Sequence, residues 1–167
     1  MAVDGGQRRG HRSTMISLAL YQPDIPQNTG TMLRLCACLG LDVHVIEPPG
    51  FDLSDRAIRR AGMDYLEHVH LVRHLSWGHF STWRTESGRR LVLATTKAAL
   101  PYVDFTFGAD DIILMGRESA GVPEAVHEAA DARVTIPMIA GVRSINVATA
   151  AAMMLGEALR QTSGFPR

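Results

Sequence analysis

The sequence predicts an α/β domain: a three-layer structure with a mainly parallel sheet and helices on both faces. Short apolar runs rich in β-branched residues alternate along the chain with longer segments whose apolar residues have helical spacing. The 167 residues are enough for one hydrophobic core. Two glycine-bearing loops each follow a predicted strand and lead into a segment with helical spacing, which is where α/β proteins bind ligands.

The first part of the chain predicts a strand followed by a helix. Residues 16–21 form an apolar run that ends before Pro23, as expected for a buried strand. In the following helix, Asn28 is the predicted cap, Gly40 is the predicted end, and Arg34 lies opposite the apolar stripe, facing solvent or a cleft. That stripe has the spacing of one helix face and consists of Met32, Leu35, Cys36 and Leu39.

Five further strands and three further helices complete the predicted order. The strands are expected at 43–46, 69–72, 91–95, 112–115 and 134–136. A short basic helix at 54–62 has Ser54 as its cap and Gly62 as its end, and another helix spans about 76–85. The last helix, about 147–161, carries on one face Val147, Ala151, Met154, Leu155 and Ala158.

The composition is that of a globular protein, and we expect one domain over residues 15–167. Residues 1–14 are polar and without periodicity, so we expect a disordered N-terminal extension. We find no run long enough for a membrane span and no signal-peptide core, which makes the cytoplasm the expected location. Cys36 and Cys38 are two apart on the predicted helix, point in different directions and are expected to be reduced.

The charge balance gives no general attraction to nucleic acid. The 17 basic and 17 acidic residues cancel, so any contact with RNA needs a local basic patch. The clearest candidates are Arg56, Arg59 and Arg60 on one face of the short helix, together with Arg143. A solvated helix face is the alternative interpretation of the first three.

Two loops are the strongest candidates for a ligand site. In the first, 114–123, Gly116 and Gly121 flank Glu118, so the backbone can approach a ligand closely, and Pro123 stands at a plausible helix start. Val122 follows Gly121 where a Walker A loop would have lysine, and the chain has no G-x-G-x-x-G. The second loop spans 136–146 and ends in Ser-Ile-Asn.

These loops and the segment 26–34 resemble the three ordered motifs of the SPOUT class of S-adenosylmethionine-dependent RNA 2'-O-methyltransferases. The resemblance runs from about residue 15 to 161, takes in 46–48, 59–62 and 95–97, and is closest to the small TrmL-type tRNA (cytidine/uridine-2'-O)-methyltransferases, which modify the wobble nucleotide. It implies a homodimer and a C-terminal trefoil knot over roughly 91–161. Periodicity alone predicts an unknotted, Rossmann-like sheet.

The resemblance also implies which residues form the site. The cofactor S-adenosylmethionine is expected to contact Ala94, Thr95, Met115, Gly116, Gly121, Ile136, Met138 and Ser144. The catalytic residues are expected to be Arg34, Asn28, Glu118, Ser144 and Asn146. Two positions depart from the family pattern: Ala148, where relatives often carry serine, and Gly156, where they often carry an aromatic residue.

Chemistry narrows some of these roles. A guanidinium is a poor base because it titrates above about pH 12, so Arg34 is expected to stabilise the developing alkoxide and anchor a phosphate. Glu118 is expected to accept hydrogen bonds from loop amides or to orient Arg34, unless it is only an exposed carboxylate. Asn28 is also a candidate helix cap, as are Ser144 and Asn146 for the last helix.

Two other functional classes compete with methyl transfer to the tRNA wobble ribose. The first keeps the fold and changes the role: a methyltransferase for another tRNA or rRNA ribose, or a non-catalytic RNA- or nucleotide-binding module. The second is a metal-dependent hydrolase built on His68, His70 and His74, the first two on one strand face. Since no carboxylate or cysteine is spaced to complete that set, we predict no metal site.

Overall fold

The computed structural model describes residues 15–54, 56 and 67–167. Its strands are β1 (Ser17–Tyr21), β2 (Val43–Ile46), β3 (Leu71–His74), β4 (Leu91–Ala94), β5 (Ile112–Met115) and β6 (Ala132–Val134). Its helices are α1 (Pro26–Leu39), α2 (Trp77–Ser87), α3 (Glu124–Ala129) and α4 (Val147–Thr162), with a 3-10 turn at Tyr102–Asp104. The predicted extension 1–14 and most of the predicted helix 54–62 lie outside the described residues.

The strands form one six-stranded sheet in the order β3-β2-β1-β5-β4-β6, and every pairing in it is parallel. Successive residues of β1 point to opposite faces: Leu18 and Leu20 pack with α1 and α4, whereas Ala19 and Tyr21 pack with α2 and α3. Helices therefore cover both faces, and the predicted three-layer parallel α/β architecture is confirmed.

The parallel arrangement determines where loops can meet. The carboxyl ends of β1, β5, β4 and β6 lie at one edge, so the four loops that follow these strands are neighbours there. The two glycine-bearing loops are among them.

The predicted cap of α1 is wrong. The helix begins three residues earlier than a cap at Asn28 requires, at Pro26, with Ile25 in extended conformation as its N-cap. Proline suits a first helical position because its φ is already helical and its missing amide would have no intrahelical partner there. Asn28 therefore lies within the first turn, and its side chain is available for another contact. The predicted end is confirmed: Gly40 caps the helix with a left-handed φ of 69°.

The third strand is shifted by two residues from its predicted position. It begins at Leu71, so His68 and His70 precede it and do not share a strand face. His68 is exposed, His70 pairs with Asp42, and His74 is buried beside His44 with 3.0 Å between Nε2 and Nδ1. Sequence reasoning did not single out His44, which comes from the neighbouring strand β2.

Strands β2 and β5 occupy their predicted positions, 43–46 and 112–115, and the remaining boundaries shift by one or two residues. β4 ends at Ala94, and β6 occupies 132–134 instead of 134–136. Helix α2 has Ser76 as its N-cap and ends at Ser87. Both cysteines are free thiols, as predicted. In the described ranges, the helices are too short or too polar to cross a membrane.

Candidate active site

A cavity of about 630 Å³ opens at the carboxyl edge of β1, β4, β5 and β6. This volume falls in the range of small-molecule sites, roughly 300–1,000 Å³. Apolar side chains from strands, loops and α4 provide its walls: Leu93, Met115, Ile136, Met138, Val147 and Met154. Polar groups at its edges come from Asn28, Thr95, Glu118, Ser144 and Asn146.

The loop after β5 is a tight turn that only glycine permits at two places. Arg117 and Gly121 exchange two backbone hydrogen bonds of 2.9 Å, which close the turn. Gly121 has a φ of 63°, a conformation that L side chains rarely adopt. A Cβ on Gly116 would lie 2.9 Å from both Cα and the carbonyl carbon of Gly121. The two glycines therefore let the two arms of the turn touch at the wall of the cavity.

Two asparagines bridge α1 and α4 beside this turn. Asn146 caps α4: its Oδ1 accepts hydrogen bonds from the amides of Ala148 at 2.9 Å and Thr149 at 3.2 Å. Because that oxygen must face the helix, the Nδ2 of Asn146 donates to Asn28 Oδ1 at 3.0 Å. The remaining group of Asn28, its Nδ2, is thereby left to donate to a ligand.

Glu118 is held at the cavity from outside its own loop. Its Oε2 accepts a hydrogen bond of 3.1 Å from the backbone amide of Asp24. Asp24 lies in the connection between β1 and α1. Burial, followed by the hydrogen bond with the Asp24 carboxyl, raises the pKa of Glu118. That same hydrogen bond is the main cause that lowers the pKa of Asp24 to about 2.

His127 presents a buried donor at the cavity wall. The guanidinium Nε of Arg133 lies 3.2 Å from its Nδ1 and donates to its backbone carbonyl at 2.7 Å. Because arginine only donates, Nδ1 must accept, and the ring proton must be on Nε2. Among the described residues, this buried Nε2 has no hydrogen-bond partner. An orphaned donor of this kind suits a polar group of a bound ligand.

Residues 15–156 match the model of the SpoU rRNA Methylase family. The chain belongs to this family. It is 67% identical over 150 residues to a tRNA (cytidine(34)-2'-O)-methyltransferase of Beijerinckia indica, covering 90% of this chain and 94% of the relative. A tRNA (cytidine(34)-2'-O)-methyltransferase of Ancylobacter novellus is 60% identical, with 91% and 96% covered.

Solved structures with the SpoU family fold agree with this assignment. One, from work on the 2-OH methylation of C/U34 on tRNA, has a TM-score of 0.83 and 39% identity and covers 90% of this chain and 97% of its own. The SpoU methyltransferase AviRb from Streptomyces viridochromogenes, in complex with AdoMet, has a TM-score of 0.79 at 28% identity, with 96% and 66% covered.

The structure of this SpoU family chain brings most of the predicted site residues together. All eight positions expected to bind the cofactor line the cavity, and so do four of the five expected catalytic residues, Asn28, Glu118, Ser144 and Asn146. Arg34 is the exception: it lies on the exposed side of α1 and is not among the described residues that line the cavity.

The predicted RNA contacts are only partly described. Arg56 and Arg143 are both exposed, whereas Arg59 and Arg60 lie outside the described residues. In the part of the chain that the structure describes, no three His, Cys, Asp or Glu side chains are arranged to hold a metal ion.

Sequence reasoning missed three residues of this site: Asp24, Arg117 and His127. The charged pair formed by Asp24 and Arg117 joins two loops that are far apart in the sequence. His127 faces the cavity from α3, a helix of only six residues. The signals available were weak: Asp24 lies two residues before the first motif, and Arg117 directly precedes the motif glutamate.

Proposed function

We propose that the protein transfers a methyl group from S-adenosylmethionine to the ribose 2'-hydroxyl of the wobble nucleotide of tRNA. The observation that carries this proposal is the cavity, which gathers residues of all three motifs in a chain 67% identical to a tRNA (cytidine(34)-2'-O)-methyltransferase. The names of the relatives favour cytidine 34 as the substrate nucleotide. The solved structure from work on C/U34 supports a modified uridine as a second substrate. A tRNA substrate would place the reaction in the cytoplasm.

The described residues fit the cofactor. Met115, Ile136 and Met138 offer apolar surface for the adenine and methionine parts, and the close contact of Gly116 with Gly121 leaves the backbone accessible. We assign the orphaned Nε2 donor of His127 to an acceptor on the ligand. When bound, S-adenosylmethionine supplies an electrophilic methyl group on a sulfonium sulfur.

The protein's own part in the reaction is mainly positioning. An in-line displacement needs two reactants held in alignment, and alignment alone lowers a barrier by at most about 7–11 kcal/mol. We assign that role to the rigid turn at 116–121 and to Asn28, whose free amide donor points away from the Asn146 cap. Ser144 and Glu118, which both line the cavity, are assigned to contacts with the substrate.

We infer that the active unit is a homodimer in which Arg34 of one protomer serves the cavity of its partner. Arg34 does not line its own cavity, yet the motif requires a cation near the reacting hydroxyl. Helix α1 packs beside α4, and the residues that α4 leaves exposed or half-buried in its first three turns are small or apolar. They include Thr149, Ala152, Met153 and Gly156.

The trefoil knot and the RNA surface remain proposals of the same kind. Family membership supports a knot over residues 91–161, and so does the position of β5 between β1 and β4 in the sheet. Arg143 is exposed on the loop that leads to Ser144, which supports its role in binding an RNA phosphate next to the cavity.

The test is methyl incorporation from labelled S-adenosylmethionine into tRNA that lacks wobble 2'-O-methylation, followed by nuclease mapping. Label at the wobble ribose would support the proposal. Label at another ribose would show that the protein methylates a different nucleotide. Bound cofactor with no label in any tRNA or rRNA would favour the non-catalytic binding module.

Arg34→Ala tests the catalytic assignment within the same assay. We expect turnover to fall about a hundredfold, with cofactor affinity nearly unchanged, because the guanidinium acts on the developing alkoxide and not on the cofactor. Arg73→Ala is the matched control, since Arg73 is exposed on β3 and pairs with Glu47. Near-normal turnover in Arg34→Ala would refute the role.

A further inference from the structure

One aspartate connects the segment before α1 to three consecutive residues of the Gly116 turn. The amide of Asp24 donates to Glu118 Oε2 at 3.1 Å, and its Oδ2 accepts from the hydroxyl of Ser119. The Nη2 of Arg117 lies 3.6 Å from that same Oδ2. Asp24 is thus the centre of the polar contacts that join these two loops.

The backbone of Asp24 is itself fixed by a third loop. The amide of Gly50 donates to the carbonyl of Pro23 at 2.8 Å. A Cβ on Gly50 would lie 2.7 Å from the Cβ of Asp24 and 3.0 Å from its Cα. The loop after β2 therefore packs directly on Asp24 and leaves it little room to move.

In the described part of the chain, each of the two carboxyl groups has one buried oxygen without a donor. Asp24 Oδ1 and Glu118 Oε1 are both buried, and neither has a donor partner among the described residues. Two adjacent carboxylates repel each other, whereas one proton between them gives each oxygen a partner. Of the two groups, Asp24 is the one whose other oxygen faces the hydroxyl of Ser119 and the cation of Arg117, so a shared proton would belong to Glu118.

We propose that Asp24 is a positioning residue of the active site, which fixes the Gly116 turn and shares one proton with Glu118. The directions of the two pKa shifts agree with this placement, since the pKa of Asp24 is lowered and that of Glu118 is raised. The consequence for catalysis rests on the methyl transfer proposed above; the shared proton does not.

This arrangement gives Glu118 a role that a lone surface carboxylate would lack. As a neutral acid it can donate a hydrogen bond, and it adds no negative charge beside a hydroxyl that is losing its proton. The other titratable groups on the cavity wall are Lys97, Glu124 and His127. Arg117 also lines the cavity, and its guanidinium faces Asp24.

The first experiment needs no activity. Protein labelled with ¹³C at the glutamate carboxyl carbons is titrated by NMR, with Glu118→Gln used to assign the signal. We expect Glu118 to titrate above its ordinary value of 4.5 and to return to that value or below it in Asp24→Asn. Asp104→Asn is the matched control, because Asp104 is exposed in the 3-10 turn, away from the cavity lining.

The second experiment measures methyl transfer by the same variants in the presence of tRNA. We expect Asp24→Asn to lower kcat by about ten- to a hundredfold through misplacement of the turn, and to move the Glu118-dependent limb of the pH profile to lower pH. Ser119→Ala keeps both carboxyls, so it should lower kcat less and leave that limb in place. Asp104→Asn should match the wild type in both respects.

The outcomes separate the two proposals. An unchanged Glu118 titration in Asp24→Asn would overturn the shared proton, whatever the activity. A normal kcat and pH profile in a variant whose Glu118 titration has moved would overturn the positioning role. If Glu118 shifts as expected but the wild-type protein methylates no RNA, the carboxyl pair stands and the proposed function fails.

Discussion

Replacing Gly116 by alanine tests whether the tight turn shapes the cavity. The new Cβ would lie 2.9 Å from two backbone atoms of Gly121, where ordinary contact begins at 3.4 Å, so the turn must open by about 0.5 Å. The two 2.9 Å hydrogen bonds between Arg117 and Gly121 oppose that opening. Overpacking of backbone against a new methyl group costs about 1–3 kcal/mol.

If this cost falls on the cofactor-binding form of the turn, the Kd for S-adenosylmethionine should rise by about 5- to 150-fold. Isothermal titration calorimetry measures the Kd, and thermal unfolding of the free protein shows whether stability falls as well. Gly78→Ala is the control, since a Cβ there would be 3.6 Å from its nearest neighbour, an ordinary contact. A Gly116→Ala protein that binds the cofactor as tightly as wild type would refute this account of the turn.

Three further predictions concern buried or capping side chains. Burial, assisted by His74, lowers the pKa of His44 from 6.5 to about 3. As the pH falls, the imidazole of His44 is protonated in the unfolded chain before it is protonated in the folded one. The free energy of unfolding should therefore fall between pH 6.5 and 3 by up to about 5 kcal/mol. In urea titrations at several pH values, His44→Phe should reduce this pH dependence, and the exposed His79→Phe should not. Asn146→Ala and Ser76→Ala each remove a helix cap and should each cost about 1 kcal/mol in the same titrations, but only the first should also lower methyl transfer. His127→Phe should raise the Kd for S-adenosylmethionine about fivefold in calorimetry, the effect of one lost hydrogen bond, and an unchanged Kd would mean that its Nε2 faces no ligand.

The architecture was accessible from the sequence because it depends on local patterns. The continuous apolar run at 16–21 indicates a strand buried on both faces, and the stripe along 147–161 marks the side of α4 that packs on the sheet. The parallel order then requires the loops after β1, β4, β5 and β6 to share one edge, which is why motif residues more than a hundred positions apart line one cavity.

The incorrect sequence predictions concern positions where a tertiary contact or a competing local preference determines the structure. Asn28 has a good capping side chain, but Pro26 fits the helix start better and moves the start ahead of it. His68 and His70 have the spacing of one strand face, yet the strand begins after them. The contacts of Asp24 with the Gly116 turn depend on how two loops meet across a folded sheet, which no local pattern encodes.

Stability and chemistry are joined in single residues at this site. Asn146 must direct its oxygen to the amides of α4 in order to cap the helix, and this requirement alone determines that its nitrogen faces Asn28. Asn28 is free to accept that bond only because Pro26 and Ile25 already start α1 without it. The orientation of a proposed catalytic amide therefore follows from how two helices begin, so a change at either helix start should alter activity before it alters the fold.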